Sequence, residues 1–248
     1  MASGPGAQGV GAGMREAKAS RRAIGTLLTG TAILFLGNGL LVTLLPIRAK
    51  LEGFSTTWIG LMGAAYFTGF AIGCLIGPGA VSRVGHIRCF AGFAALAAVG
   101  ALAYPLFVDP IAWFALRGFT GLCLAVLYMV IESWLNAESG NEVRGGVLSV
   151  YIIVTNVVTI AGQLMVNLDT PVAMTLFVAV GMLICLSLVP LSLTKTAAPQ
   201  LLAAPRFRIA WLYRMSPGGF MGCLAMGVVE GAFWTLGPVF AQGRGLPV

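Results

Sequence analysis

Charge is scarce in this chain. Asp, Glu, Lys and Arg supply 9% of its 248 residues, against 58% for hydrophobic side chains, and a water-soluble domain needs far more charge on its surface than that. Histidine occurs once, at His86. The five cysteines, Cys74, Cys89, Cys123, Cys185 and Cys223, are odd in number and match no metal spacing, so they read as small buried hydrophobes. No Ser/His/Asp set, phosphate-binding loop or metal cluster is visible, which leaves no catalytic residue, metal site or cofactor to expect and argues against an enzyme. Gly4, Gly6 and Gly9 fall in G-x-G-x-x-G spacing, but no strand precedes them and no helix follows at once.

What the chain has in abundance is long apolar runs. Crossing ~30 Å of hydrocarbon takes about 20 mostly apolar residues. Seven runs qualify: 24–47, 57–81, 89–108, 111–131, 147–167, 172–194 and 216–240. Each must be helical, because an isolated strand in lipid leaves its backbone groups unpaired. The fold expected is therefore all-α and polytopic. Residues 1–23, rich in Gly and Ala, read as a disordered cytoplasmic tail with no reason to fold. They do not read as a signal peptide, since the first apolar run follows Arg21 and Arg22 and is too long.

The net charge of +7 could point to nucleic acid, but its distribution points to topology. Segments 1–23, 82–88, 132–146 and 195–215 hold eleven of the fifteen Lys and Arg; the alternate segments hold three, and Arg117 lies inside a helix. This asymmetry puts the N-terminus in the cytoplasm and excludes a nucleic-acid partner.

Polar residues inside the runs carry the functional information. Arg117, Gly121, Leu124, Tyr128 and Glu132 are spaced to share one face of the fourth run, as are Asn156, Thr159, Gln163 and Asn167 on the fifth. The first run carries Asn38 and the seventh Glu230. The third and sixth carry no ionisable group, so they are free to face lipid. Four striped helices thus converge on one polar space, with Asn38, Arg117, Tyr128, Asn156, Gln163 and Glu230 as pathway candidates. The stripe on the fifth run has a plainer reading too, as hydrogen bonding between helices. Gly69, Gly73 and Gly77 form a small-residue ridge that lets a neighbouring backbone approach.

One segment returns. GNGLLVTLLPIRAKLEGFS, starting at Gly37, matches a stretch 192 residues later, pairing Gly39 with Gly231, Thr43 with Thr235, Leu44 with Leu236, Pro46 with Pro238, Ala49 with Ala241 and Gly53 with Gly245. The same shift places Asn38 over Glu230. Such a match signals an internal repeat.

The loop VSRVGHIR, Val81 to Arg88, resembles the signature between helices two and three of the major facilitator superfamily of secondary transporters. Arg83 and Gly85 fall in register, Arg88 supplies a cation one place late, Ser82 stands where the family usually has Asp, and Pro78 where it has its first Gly. Arg117 and Gly121 resemble the family's R-x-x-x-G element in the fourth helix. RGGVLSVYIIVTNVVTIAGQ, from Arg144, and VGHIRCF, from Val84, look most like the YcaD-like branch. The resemblance implies two six-helix halves related by an axis along the membrane normal, with substrate between them.

On that architecture, 24–194 is the N-terminal six-helix half, 195–215 a cytoplasmic linker, and 216–248 the first helix of a truncated C-terminal half. The implied function is alternating-access transport of a small solute across the inner membrane, with proton coupling through Glu230 or Arg117. The expected partners are a small-molecule substrate, protons, the lipid bilayer and the C-terminal half, absent from what reads as a fragment or an incomplete transporter. Two other classes stay open: a helical channel or self-assembling pore, and a non-transporting membrane scaffold or receptor.

Overall fold

A computed structural model describes residues 5–140, 142–193 and 209–244. The described residues are almost entirely helical and include no strand: α1 (Pro5–Leu51), α2 (Thr56–Val84), α3 (His86–Ala103), α4 (Pro110–Glu138), α5 (Arg144–Leu164), α6 (Met174–Leu186), α7 (Leu188–Ser192), α8 (Ile209–Met215) and α9 (Pro217–Gly243), with a 3-10 turn over Met165–Leu168. Among the described residues, seven helical stretches are long and apolar enough to cross a membrane, the last being Pro217–Ala241. The sixth apolar run is built from two helices, α6 and α7, meeting at Ser187.

Helix ends follow local chemistry. Ser55 caps α2, its hydroxyl accepting from the Trp58 N–H at 3.4 Å. Asp109 caps α4, where one carboxylate oxygen accepts from the N–H groups of Ile111 and Ala112, both at 2.9 Å, and Pro110 begins the first turn. Gly85 separates α2 from α3 at φ 81° and ψ 165°, a conformation that L side chains essentially never adopt.

Helix α1 departs from the reading of residues 1–23 as an unfolded tail. From Pro5 onward the backbone is helical and runs unbroken into the first span. Once the span is formed, adding Ala, Met, Arg, Glu and Lys to its N-terminal end needs no new nucleus. Residues 194–208, which include most of the linker read at 195–215, lie outside the described residues; its last part, Ile209–Met215, is the short helix α8.

The helices pack in the order α5, α1, α6, α3, α4, α2, each against the next, and α9 lies against α1 and α2. Helix α3 packs between α4 and α6 and keeps an exposed apolar face that includes Leu96 and Val99, while α5 is the least buried of the first six spans. The α2 and α4 backbones approach closely along the glycine ridge. A Cβ at Gly69 would overlap the Gly118 carbonyl, one at Gly73 would lie 2.5 Å from the Leu122 carbonyl, and one at Gly77 would strike the Met129 methyl group. Helices α1 and α5 meet the same way, with Gly39 against the Thr159 carbonyl and Gly162 against that of Leu36.

On the side of the bundle where α1 ends, Arg48 ties α1 to the α5–α6 connection. It is 8% exposed, its Nε donates to Glu52 at 2.6 Å, and its Nη1 donates to the carbonyls of Pro171 and Val172. On the other side, His86 Nε2 and the Ser133 hydroxyl are 3.1 Å apart, joining α3 to α4.

Candidate functional site

A cavity of about 500 Å³ opens between α1, α2, α4, α5 and α9. Five of the six pathway candidates line it: Asn38, Arg117, Tyr128, Asn156 and Glu230. Gln163 does not; it lies on the last turn of α5, beyond Gly162, which faces α1. A helical stripe of four residues spans more than two turns, so it leaves a compact cavity at one end.

The α4 stripe divides as well. Arg117 and Tyr128 reach the cavity, whereas Gly121 is turned against the backbone of Tyr66 on α2 and Leu124 is buried in the core. Glu132 accepts a 3.1 Å hydrogen bond from the Tyr151 hydroxyl and so joins α4 to α5.

The cavity wall is aromatic with a few polar groups set into it. The Asn38 amide donates to the Tyr128 hydroxyl at 3.0 Å. Phe35 stacks on Tyr128 with centroids 4.6 Å apart and planes 14° from parallel, and Phe70 meets the same ring edge-on at 5.8 Å. The Arg117 guanidinium carbon lies over the Tyr66 ring, 4.5 Å from its centroid, in a cation–π contact. Asn156 donates back to its own helix, to the Ile152 carbonyl at 2.8 Å. Among the described residues, Arg117 and Glu230 line the same space without forming an ion pair with each other.

Helix α9 contributes Glu230, Trp234 and Thr235 to the wall. Its approach to α2 depends on Gly63, whose missing side chain makes room for Thr235. Among the described residues, much of the α9 surface is uncovered, with Met221, Val228, Val229 and Phe233 exposed.

The residues of the α2–α3 loop stand apart from the cavity. Arg83 and Arg88 are exposed, and the Ser82 hydroxyl donates to the Gly79 carbonyl at 2.9 Å. Tyr66, Phe35, Phe70 and Trp234 went unmarked in the sequence, because an aromatic in an apolar run reads equally as core, lipid-facing or cavity-lining. Their one available signal was spacing: Phe35 precedes Asn38 by three residues and Tyr66 precedes Phe70 by four, so each pair shares a face.

The Major Facilitator Superfamily profile matches residues 27–248, nearly the whole chain. The chain belongs to the major facilitator superfamily. It is also 28% identical over 227 residues to an uncharacterized MFS-type transporter, YcaD, of Escherichia fergusonii and to its counterpart in Escherichia coli, covering 91% of this chain and 59% of each relative. The chain thus spans well under two thirds of the length of the curated relatives it matches. Its architecture is the six-span bundle of that superfamily plus one further membrane helix, and membrane transport is the activity to which the superfamily points.

Proposed function

We propose that this protein forms the substrate cavity of a secondary transporter that carries a small solute across the inner membrane by alternating access, with its N-terminus in the cytoplasm. The observation that carries this reading is the cavity itself, where Arg117 and Glu230 face one apolar-walled space. A charged side chain at membrane depth costs about 2.5 kcal/mol or more unless it meets water, a partner or a ligand. Two opposite charges lining one cavity without pairing are arranged for something that enters it.

A second six-helix half would supply the wall beyond α9. The reasons are the 192-residue repeat that sets Glu230 over Asn38, the apolar surface that α9 leaves uncovered, and the greater length of the YcaD relatives. On this reading 24–194 is one half, 195–215 the linker, and α9 the first helix of the other half, equivalent to α1. The glycine contacts of α2 with α4 would keep this half rigid while the halves rock. Glu230, the acidic group in the wall, and Arg117 would couple transport to protons.

The test is accessibility from each face of the membrane. A cysteine placed at Val42, which lines the cavity, is labelled with an impermeant maleimide in oriented vesicles after Cys74, Cys185 and Cys223 are replaced by alanine. Alternating access predicts labelling from both faces, with a proton gradient shifting the ratio. Labelling from one face only would sink the proposal, as would ion conductance. Persistence of the pH-dependent shift in Glu230→Gln would remove Glu230 as the coupling group.

A further inference from the structure

Two buried polar atoms of the cavity wall have no partner. Arg117 and Asn38 are each 7% exposed, and Arg117 Nη1 and Asn38 Oδ1 make no hydrogen bond among the described residues. A buried donor or acceptor left unmet is costly, and a charged one more so. One of the two is a cationic donor and the other a neutral acceptor. An anionic oxygen answers the first; an N–H or O–H group answers the second.

The surroundings narrow the class further. The Tyr66 ring lies against the Arg117 guanidinium at 4.5 Å, which leaves the guanidinium edge, where Nη1 has no partner, for contact with a carboxylate oxygen. Glu230 in the same wall repels a second negative charge on the ligand. Phe35, Phe70 and Trp234 present apolar faces to the rest of the volume. A simple cation would have to lie beside Arg117, and a polyanion beside Glu230.

We propose that the cavity takes an organic monoanion: a carboxylate that engages Arg117, a neighbouring hydroxyl or amine that donates to Asn38, and an aromatic or branched body seated among the rings. This rests on reading the cavity as a transport site, and it is tested by binding and not by flux. The full chain in lipid nanodiscs is titrated calorimetrically with phenyllactate and hydroxyisocaproate, with the methyl ester of phenyllactate, and with phenylpropanoate, which lacks the donor. At least one hydroxy acid binds saturably, the ester binds about tenfold or more weakly, and phenylpropanoate falls about three- to tenfold below phenyllactate. Arg117→Lys keeps a reduced preference for acid over ester, and Arg117→Gln loses it.

The acid-to-ester comparison uses the unaltered protein, so a variant that fails to fold does not blunt the test. Absence of saturable binding by both hydroxy acids, an ester that binds as tightly as its acid, or an acid preference that survives Arg117→Gln overturns the proposal. Alternating accessibility of Val42→Cys without hydroxy-acid binding would reject this ligand class and leave transport standing. Acid-selective binding without alternation would do the reverse.

Discussion

The Asn38 amide of α1 donates a 3.0 Å hydrogen bond to the Tyr128 hydroxyl of α4, 90 residues away. It joins two helices whose main partners are others, α5 for α1 and α2 for α4. Tyr128→Phe removes the acceptor and leaves the Asn38 amide unmet on both of its polar atoms. A loss of about 1 kcal/mol is expected, at the upper side of what such bonds contribute within membranes. Asn38→Leu together with Tyr128→Phe should cost less than the two single losses combined. Unfolding titrations in mixed micelles read all three; additive losses would show that the pair is not coupled.

The glycine ridge predicts a graded response to alanine. At Gly69 the new methyl group meets the backbone of Gly118, which cannot turn aside, whereas at Gly77 it meets the flexible end of Met129. Gly69→Ala should destabilise by about 1–3 kcal/mol and Gly77→Ala by less. Gly79→Ala and Gly92→Ala, with nothing within 4 Å of the added carbon, should stay within about 0.5 kcal/mol of the parent. Thermal melts of the four purified variants give the ranking, and equal effects at Gly69 and Gly79 would contradict the close approach.

Gly85 predicts a conformational failure. Its φ of 81° and ψ of 165° suit neither alanine nor asparagine, since asparagine is at ease in the left-handed helical region but not here. Gly85→Ala and Gly85→Asn should each cost about 1–3 kcal/mol. Rescue by Asn alone, seen as a recovered melting temperature, would mean the turn adopts a different geometry.

The Arg48 tie predicts that arginine and lysine are not interchangeable. Arg48 reaches Glu52 through Nε and Nη2 and the Pro171 and Val172 carbonyls through Nη1, a division of donors that a single ammonium cannot copy from one position. Arg48→Ala should destabilise by about 2–3 kcal/mol, because it removes charge-assisted hydrogen bonds between α1 and the α5–α6 connection, and Arg48→Lys should recover less than half. Limited proteolysis at the α5–α6 connection should quicken in both. Full recovery with lysine would reduce the tie to simple charge pairing.

The seven apolar runs were legible because hydropathy is additive along the chain, and each run became helical, although α1 starts as early as Pro5, α4 continues to Glu138 and the sixth run is split at Ser187. The family was legible for a related reason: the Val81–Arg88 loop and the Arg117–Gly121 pair are contiguous stretches that can be matched one at a time. Convergence of the polar stripes was only half legible. Asn38, Arg117, Tyr128, Asn156 and Glu230 share a cavity, while Gly121 and Gln163, set on the same faces by spacing, are claimed by packing against α2 or fall outside the cavity. Tyr66 carried no mark beyond its spacing to Phe70, since the charge that makes it informative sits on another helix.

The sequence by itself determined a membrane protein, the position of its spans and its superfamily, because transfer into lipid and short signatures depend on neighbours along the chain. Only the tertiary structure decided which side chains come together: Asn38 with Tyr128, Arg117 with Tyr66, and Glu230 in the wall of the same cavity. Those meetings depend on how far each helix is rotated and how closely its glycines let the next backbone approach, and a rotation of one residue, about 100°, replaces one face with another.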